Sequence, residues 1–159
     1  MSEDNDPGKF WSRLGAINSG MLGLMEDARF VPMSHYVDVE SGKLWFITAK
    51  GTELALALAA GSKDSVHVVG DEGKGLFACI EGSLALSDDR AKLDELWNAV
   101  ASSWFEDGQQ DEDIQLLRFD LAKAEVWLTG GSLSFAYQIA KSKITDEKPD
   151  MGAHFTLSF

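Results

Sequence analysis

The chain has 159 residues, enough for a single domain (1–159) whose core needs neither a disulfide nor a structural metal. Hydrophobic residues make up 45% and charged residues 25%, the balance of a folded globular protein rather than a disordered one. Fourteen Lys and Arg against 26 Asp and Glu leave a net charge of -12, which argues against partners such as nucleic acid and anionic lipid, and the lone Cys79 excludes an intramolecular disulfide.

The acidic N-terminus lacks the apolar stretch of a secretory signal. The longest helix-like apolar run, Leu54 to Ala60, is too short to span a bilayer, so the expected residence is the cytoplasm with no membrane partner. After Pro7, the spacing of Phe10, Trp11, Leu14 and Ile17 predicts a short amphipathic helix. Met21 to Met25, Phe30 to Val39 and Lys43 to Thr48 read as a three-stranded meander, turning at 26–29 and at Ser41-Gly42. Thr52 to Ala60 is a short helix that stops at Gly61. Val66 to Gly70 and Leu76 to Leu86 form a long hairpin about the turn 71–75, the second strand being interrupted at Glu81 and Gly82.

A helix follows, capped by Ser87 or Asp88, with Leu93, Leu96, Trp97, Val100 and Trp104 on one stripe. Beyond an acidic loop (106–113) come strands Ile114 to Phe119 and Ala124 to Leu128, the breaker Thr129-Gly130-Gly131, and a helix from Leu133 to Ala140. The segment 141–159 reads as a mobile tail, in which Phe155 to Phe159 either adds an edge strand in trans or lies loose. Six or seven strands with three short helices predict a mainly β fold, a closed antiparallel barrel.

Most chemical motifs fail on spacing. Gly70, Gly73 and Gly75 around Lys74 reproduce neither a dinucleotide fingerprint nor a P-loop, and Gly131-Ser132 lacks the closing glycine of a hydrolase elbow. His35, His67 and His154 stand in three separate segments without ligand spacing, so no metal site is predicted, and the acidic loop lacks the pattern of a calcium loop. Cys79 reads as a small buried hydrophobe. One junction does suggest a ligand: the aromatic strand 44–48 ends at Ala49-Lys50-Gly51-Thr52 and opens into a helix. Backbone N–H groups, the Thr48 and Thr52 hydroxyls and the Lys50 ammonium there would suit a phosphate, with the aromatic strand beside them for a flat ring.

The ordered set Val31-Pro32-Met33, Leu44-Trp45-Phe46-Ile47-Thr48, Asp89-Arg90-Ala91-Lys92 with Leu96-Trp97, Trp104-Phe105 and Ala124-Glu125-Val126-Trp127 resembles the general stress protein 26 family, which belongs to the pyridoxamine 5′-phosphate oxidase-like FMN-binding split barrels. The resemblance implies a six-stranded antiparallel split β-barrel, a homodimer, and FMN at the subunit interface. It places the flavin along Pro32, Met33 and Ser34 and along Trp45, Phe46, Ile47 and Thr48, the phosphate near Lys50, Gly51 and Thr52, and Trp127 reaching in from the partner. Two positions depart from the family pattern: an arginine before Pro-Met is Val31 here, and a lysine early in the helix is Leu54, so that Lys50 or Arg29 would have to substitute. The chain also ends soon after Trp127, without the arginine- and histidine-bearing segment of true pyridoxamine phosphate oxidases, whose reaction is therefore not expected. Two functions follow: a flavin-dependent, stress-related oxidoreductase of unknown substrate, or a non-enzymatic split-barrel binding protein with weak or lost FMN affinity.

Overall fold

A computed structural model describes residues 6–97, 108, 111–145 and 152–159, with only the backbone of 131–136 and 138. Helix α1 (Pro7–Ala16) starts where expected. Asp6 caps it by accepting a hydrogen bond from the Lys9 amide, Pro7 occupies the first turn, and Phe10, Trp11 and Leu14 are buried on one face. Strand β1 (Ser19–Leu24) follows, and then two strands where the sequence suggested one, β2 (Phe30–Ser34) and β3 (Tyr36–Asp38), parted at His35. Next come β4 (Lys43–Ala49), the five-residue helix α2 (Glu53–Ala57), β5 (Lys63–Asp71), β6 (Leu76–Ser87) and α3 (Arg90–Leu96).

Asp89, rather than Ser87 or Asp88, caps α3, and the helix ends at Trp97; the expected continuation through Val100 and Trp104 lies outside the described residues. One 15-residue strand, β7 (Ile114–Leu128), replaces the two expected there. The last helix, α4, runs Gly131–Thr145, so the start of the expected mobile tail is helical, while 146–150 lie outside the described residues. Strand β8 (Ala153–Ser158) is neither loose nor donated in trans, since it pairs within the chain along β7.

The strands form one antiparallel sheet of eight, in the order β2-β1-β5-β6-β7-β4-β3 with β8 also on β7, where the resemblance implied six. One edge of β7 is filled by β6; the other is shared, with Ile114 to Asp120 facing β4 and Lys123 to Leu128 facing β8. This change of partner keeps the 120–123 stretch in the sheet. The expected β5/β6 hairpin forms in full register; the irregularity at Glu81 and Gly82 lies on its other side, in the β6/β7 pairing, where a Cβ on Gly82 would run into the Asp120 carbonyl.

The ends of the strand path, β2 and β3, are consecutive in the chain, so the sheet curls into a split half-barrel until its two ends meet at His35. The predicted meander is thus broken, with β1–β2 at one end of the sheet and β3–β4 at the other. Inside lies the main core, built around Phe10, Phe46, Phe119, Leu22, Leu84 and Leu117. A second cluster under α3 joins Trp45, Leu93, Ile114 and Leu116. Arg13 anchors α1 across the end of the β5/β6 hairpin, donating to the carbonyls of Gly75 (2.8 Å) and Thr129 (2.7 Å).

Candidate functional site

Strand alternation divides the predicted site residues. On β4, Leu44 and Phe46 enter the main core, and Phe46 is fully buried, so it has no side-chain surface to offer a ligand. Trp45 and Ile47 face the second cluster. The Trp45 indole donates to Asp38 Oδ2 (3.3 Å), and the Lys92 ammonium sits 5.5 Å from the ring centre. Lys92 also pairs with Asp38 (3.3 Å) and Glu95 (2.7 Å). Burial alone would raise the Asp38 pKa, but hydrogen bonds from Trp45 and Lys92 hold it below the usual carboxylate value. Thr48 is half-buried on the Phe46 side of the strand.

The strand-to-helix turn is committed to its own backbone. Thr52 Oγ1 donates to the Ala49 carbonyl (3.0 Å) and accepts from the Ala55 amide (3.2 Å), and the Lys50 amide donates to the Asp113 carbonyl. Lys50 and Gly51 are exposed. On β2, Met33 packs against the core, Pro32 is exposed on the outer face, and Ser34 is half-buried at the far end.

Two concavities flank β2. A small one, about 40 Å³, is lined by Leu22, Leu24, Val31, Leu54 and Ala57 with Asp27, Arg29 and Glu53 at its margin. It brings together the two positions that depart from the family pattern. Its one cation, Arg29, is paired with Glu53 at 3.0 Å, and its backbone amide donates to Asp27 Oδ1. The second is an open groove of about 570 Å³ between the end of α1, the β2–β3 junction and the end of α3, lined by Asn18, Ser34, His35, Tyr36 and Trp97 among others. Its size is that of a small-molecule site.

His35 and His67, far apart in sequence, meet at this junction with Nδ1 of His35 2.9 Å from Nε2 of His67. Because the Leu14 carbonyl can only accept, His35 Nε2 donates to it (2.9 Å), which leaves His35 Nδ1 to accept from His67. His67 Nδ1 then carries no proton, and it finds no partner among the described residues. Burial, with the neighbouring His35, pushes His67 down to about 3; burial also lowers His35, against hydrogen bonding to backbone that raises it. No spacing rule links positions 35 and 67, so the pair was invisible in the sequence.

The outer face of the sheet holds a third feature. Register aligns Pro32, Met21, Val68, Cys79, Glu125 and Thr156 across six strands, with Phe77, Trp127 and His154 in a neighbouring row. Met21, Phe30, Val68, Phe77 and Trp127 are each between 37% and 41% exposed. Trp127 is stacked on His154 (4.7 Å, 5° between planes), and His154 Nε2 lies 2.8 Å from Glu125 Oε2. Cys79 belongs to this face and is half-buried rather than in the core; burial, with Glu81 and Glu125 nearby, pushes its thiol up. Among the described residues no cluster of three or more metal-ligating side chains occurs, and no helix is long and apolar enough to cross a membrane.

The family model described as pyridoxamine 5′-phosphate oxidase like matches residues 5–150. A candidate general stress protein 26 from Jannaschia sp. CCS1 is 48% identical over 95% of this chain and 96% of its own, with a TM-score of 0.89. The general stress FMN/FAD binding protein of Xanthomonas citri is 36% identical over 78% of this chain and 89% of its own, with a TM-score of 0.69. An FAD binding protein of Mycobacterium smegmatis, 16% identical over 76% of this chain and 94% of its own, shares the fold with a TM-score of 0.52. No curated protein matches. The chain belongs to the pyridoxamine 5′-phosphate oxidase-like family, among its general stress protein 26 members.

Proposed function

We propose that this protein is a cytoplasmic, stress-related flavin-binding protein that works as a homodimer and carries out flavin-dependent oxidoreduction. The observation that carries the reading is the apolar outer face beside β2, where Met21, Phe30, Val68, Phe77 and Trp127 stand exposed on neighbouring strands. Contiguous apolar surface of this kind calls for a cover, and a second copy would bring its Trp127 to the β2 groove. The Xanthomonas citri relative, named for FMN/FAD binding, supports a flavin as the ligand.

The ring lies along Pro32 and Ser34 and the backbone of Trp45 to Thr48, reaching the groove lined by Ser34 and Tyr36. FMN is the flavin that the family resemblance implies, with Lys50, Gly51 and Thr52 toward its tail. A bound flavin supplies hydride and one-electron chemistry, while the chain positions the ring and keeps water from it. Val31 and Leu54 favour a second reading, a binding protein with weak or lost FMN affinity and no turnover.

Flavin titration followed by quenching of ring and tryptophan fluorescence, together with light-scattering mass, tests both parts. Saturable binding and a two-chain mass are expected. Val68→Glu, which places a charge on the apolar face, should halve the mass and weaken flavin binding together. A monomer that still binds flavin fully would remove the partner's contribution, and a protein that takes up no flavin would end the cofactor reading.

A further inference from the structure

The small concavity at the start of β2 bears on which flavin fits. Val31 lines it and Ser34 lines the groove, three residues apart on one strand, or about 10 Å. Their side chains fall on opposite faces of β2, and it is the turn proposed for the flavin tail, Lys50 to Thr52, that adjoins the concavity, through Glu53 and Leu54. The floor that meets the tail is hydrocarbon from Leu22, Leu24, Val31, Leu54 and Ala57, with Leu54 only 9% exposed. The charged groups at its margin are two carboxylates, Asp27 and Glu53, and one guanidinium, Arg29, whose charge Glu53 already offsets at 3.0 Å.

A phosphate dianion placed there would shed water against alkyl side chains and face more negative than positive charge. The net charge of -12 adds to its repulsion. The neighbouring turn adds one exposed ammonium, that of Lys50, but its other groups are engaged: the Thr52 hydroxyl donates to the Ala49 carbonyl and accepts from the Ala55 amide, and the Lys50 amide is held by Asp113. By volume, about 40 Å³ holds about three water molecules. That suits the end of a ribityl chain, a neutral hydroxyl able to bond to a carboxylate.

We infer that this corner selects against phosphate, and that the chain takes the phosphate-free flavin, riboflavin in class, in preference to FMN or FAD. The inference rests on the reading of the β2 groove as a flavin-ring site.

Parallel titrations of the full-length protein with riboflavin and with FMN, followed by flavin fluorescence at low and high salt, test it. Riboflavin should bind at least as tightly as FMN, and added salt should narrow the gap by screening the anion. Val31→Arg should shift the ratio of FMN to riboflavin affinity about tenfold or more toward FMN, one charge-assisted contact being worth that much. Glu53→Gln, at an exposed position, releases Arg29 and should favour FMN to a smaller degree, keeping the test open if Val31→Arg does not fold. FMN bound tenfold tighter than riboflavin by the unaltered protein, or no response of FMN to either substitution, overturns the inference and leaves the flavin site standing. Failure of both flavins to bind removes the flavin site and the preference with it.

Discussion

The buried His35–His67 pair makes the stability of this protein sensitive to mild acid. His67 is fully buried, and its pKa falls from the ordinary 6.5 to about 3, so the unfolded chain takes up a proton there that the folded chain refuses. Wherever the unfolded state binds more protons, stability rises with pH. The contribution of His67 is therefore complete above 6.5 and drains away as pH falls toward about 3. At about pH 5, some 1.5 units below the unfolded value, the loss is about 2 kcal/mol, at about 1.4 kcal/mol per unit. His35, also lowered, acts in the same direction.

Acid also relieves repulsion within a chain of net charge -12, which acts the other way, so the diagnostic quantity is a difference between variants. Urea unfolding followed by tryptophan fluorescence, at about pH 7.5 and about pH 5, is to be compared for the unaltered protein and His67→Gln, whose amide can still donate to His35 Nδ1. The unaltered protein should lose about 2 kcal/mol more than the variant across that interval. Parallel pH dependences would show that His67 is not held neutral by burial, and the argument would fail.

Asp38→Ala strips partners from the Trp45 indole and from Lys92, both otherwise at 3.3 Å, and should cost about 1–3 kcal/mol with faster amide exchange in α3. Unchanged exchange over 90–96 would count against that anchoring role. Gly152, at φ +94° with the Leu128 carbonyl against the place of a Cβ, admits no larger residue without displacing β8. Gly152→Ala should raise exchange at 153–158 and lower stability, and protection equal to the parent's would contradict the close approach.

Sequence patterns disclosed the elements whose cause is local. The β5/β6 hairpin was legible from its turn at 71–75, and α1 from Pro7 and the spacing of its aromatic residues. What stayed hidden depends on distant partners. Strand β7 continues through 120–123 because β8 takes over from β4 along the same edge, and β8 is a strand only because β7 is there to receive it. The break at His35 follows from the curl of the whole sheet. In the site, Val31 and Leu54 stood out as departures, but their meeting over the Arg29–Glu53 pair required the fold. Trp45 looked available for a ring until α3 was seen to cover it.

The joining of β2 to β3 through one residue sets how this half-barrel can breathe. A free sheet margin ordinarily peels strand by strand and offers its bare amides to foreign chains. Here the two ends of the main strand path are a single length of polypeptide, each tethered to the other, so neither can lift away without dragging its twin, and that seam is guarded by covalent continuity.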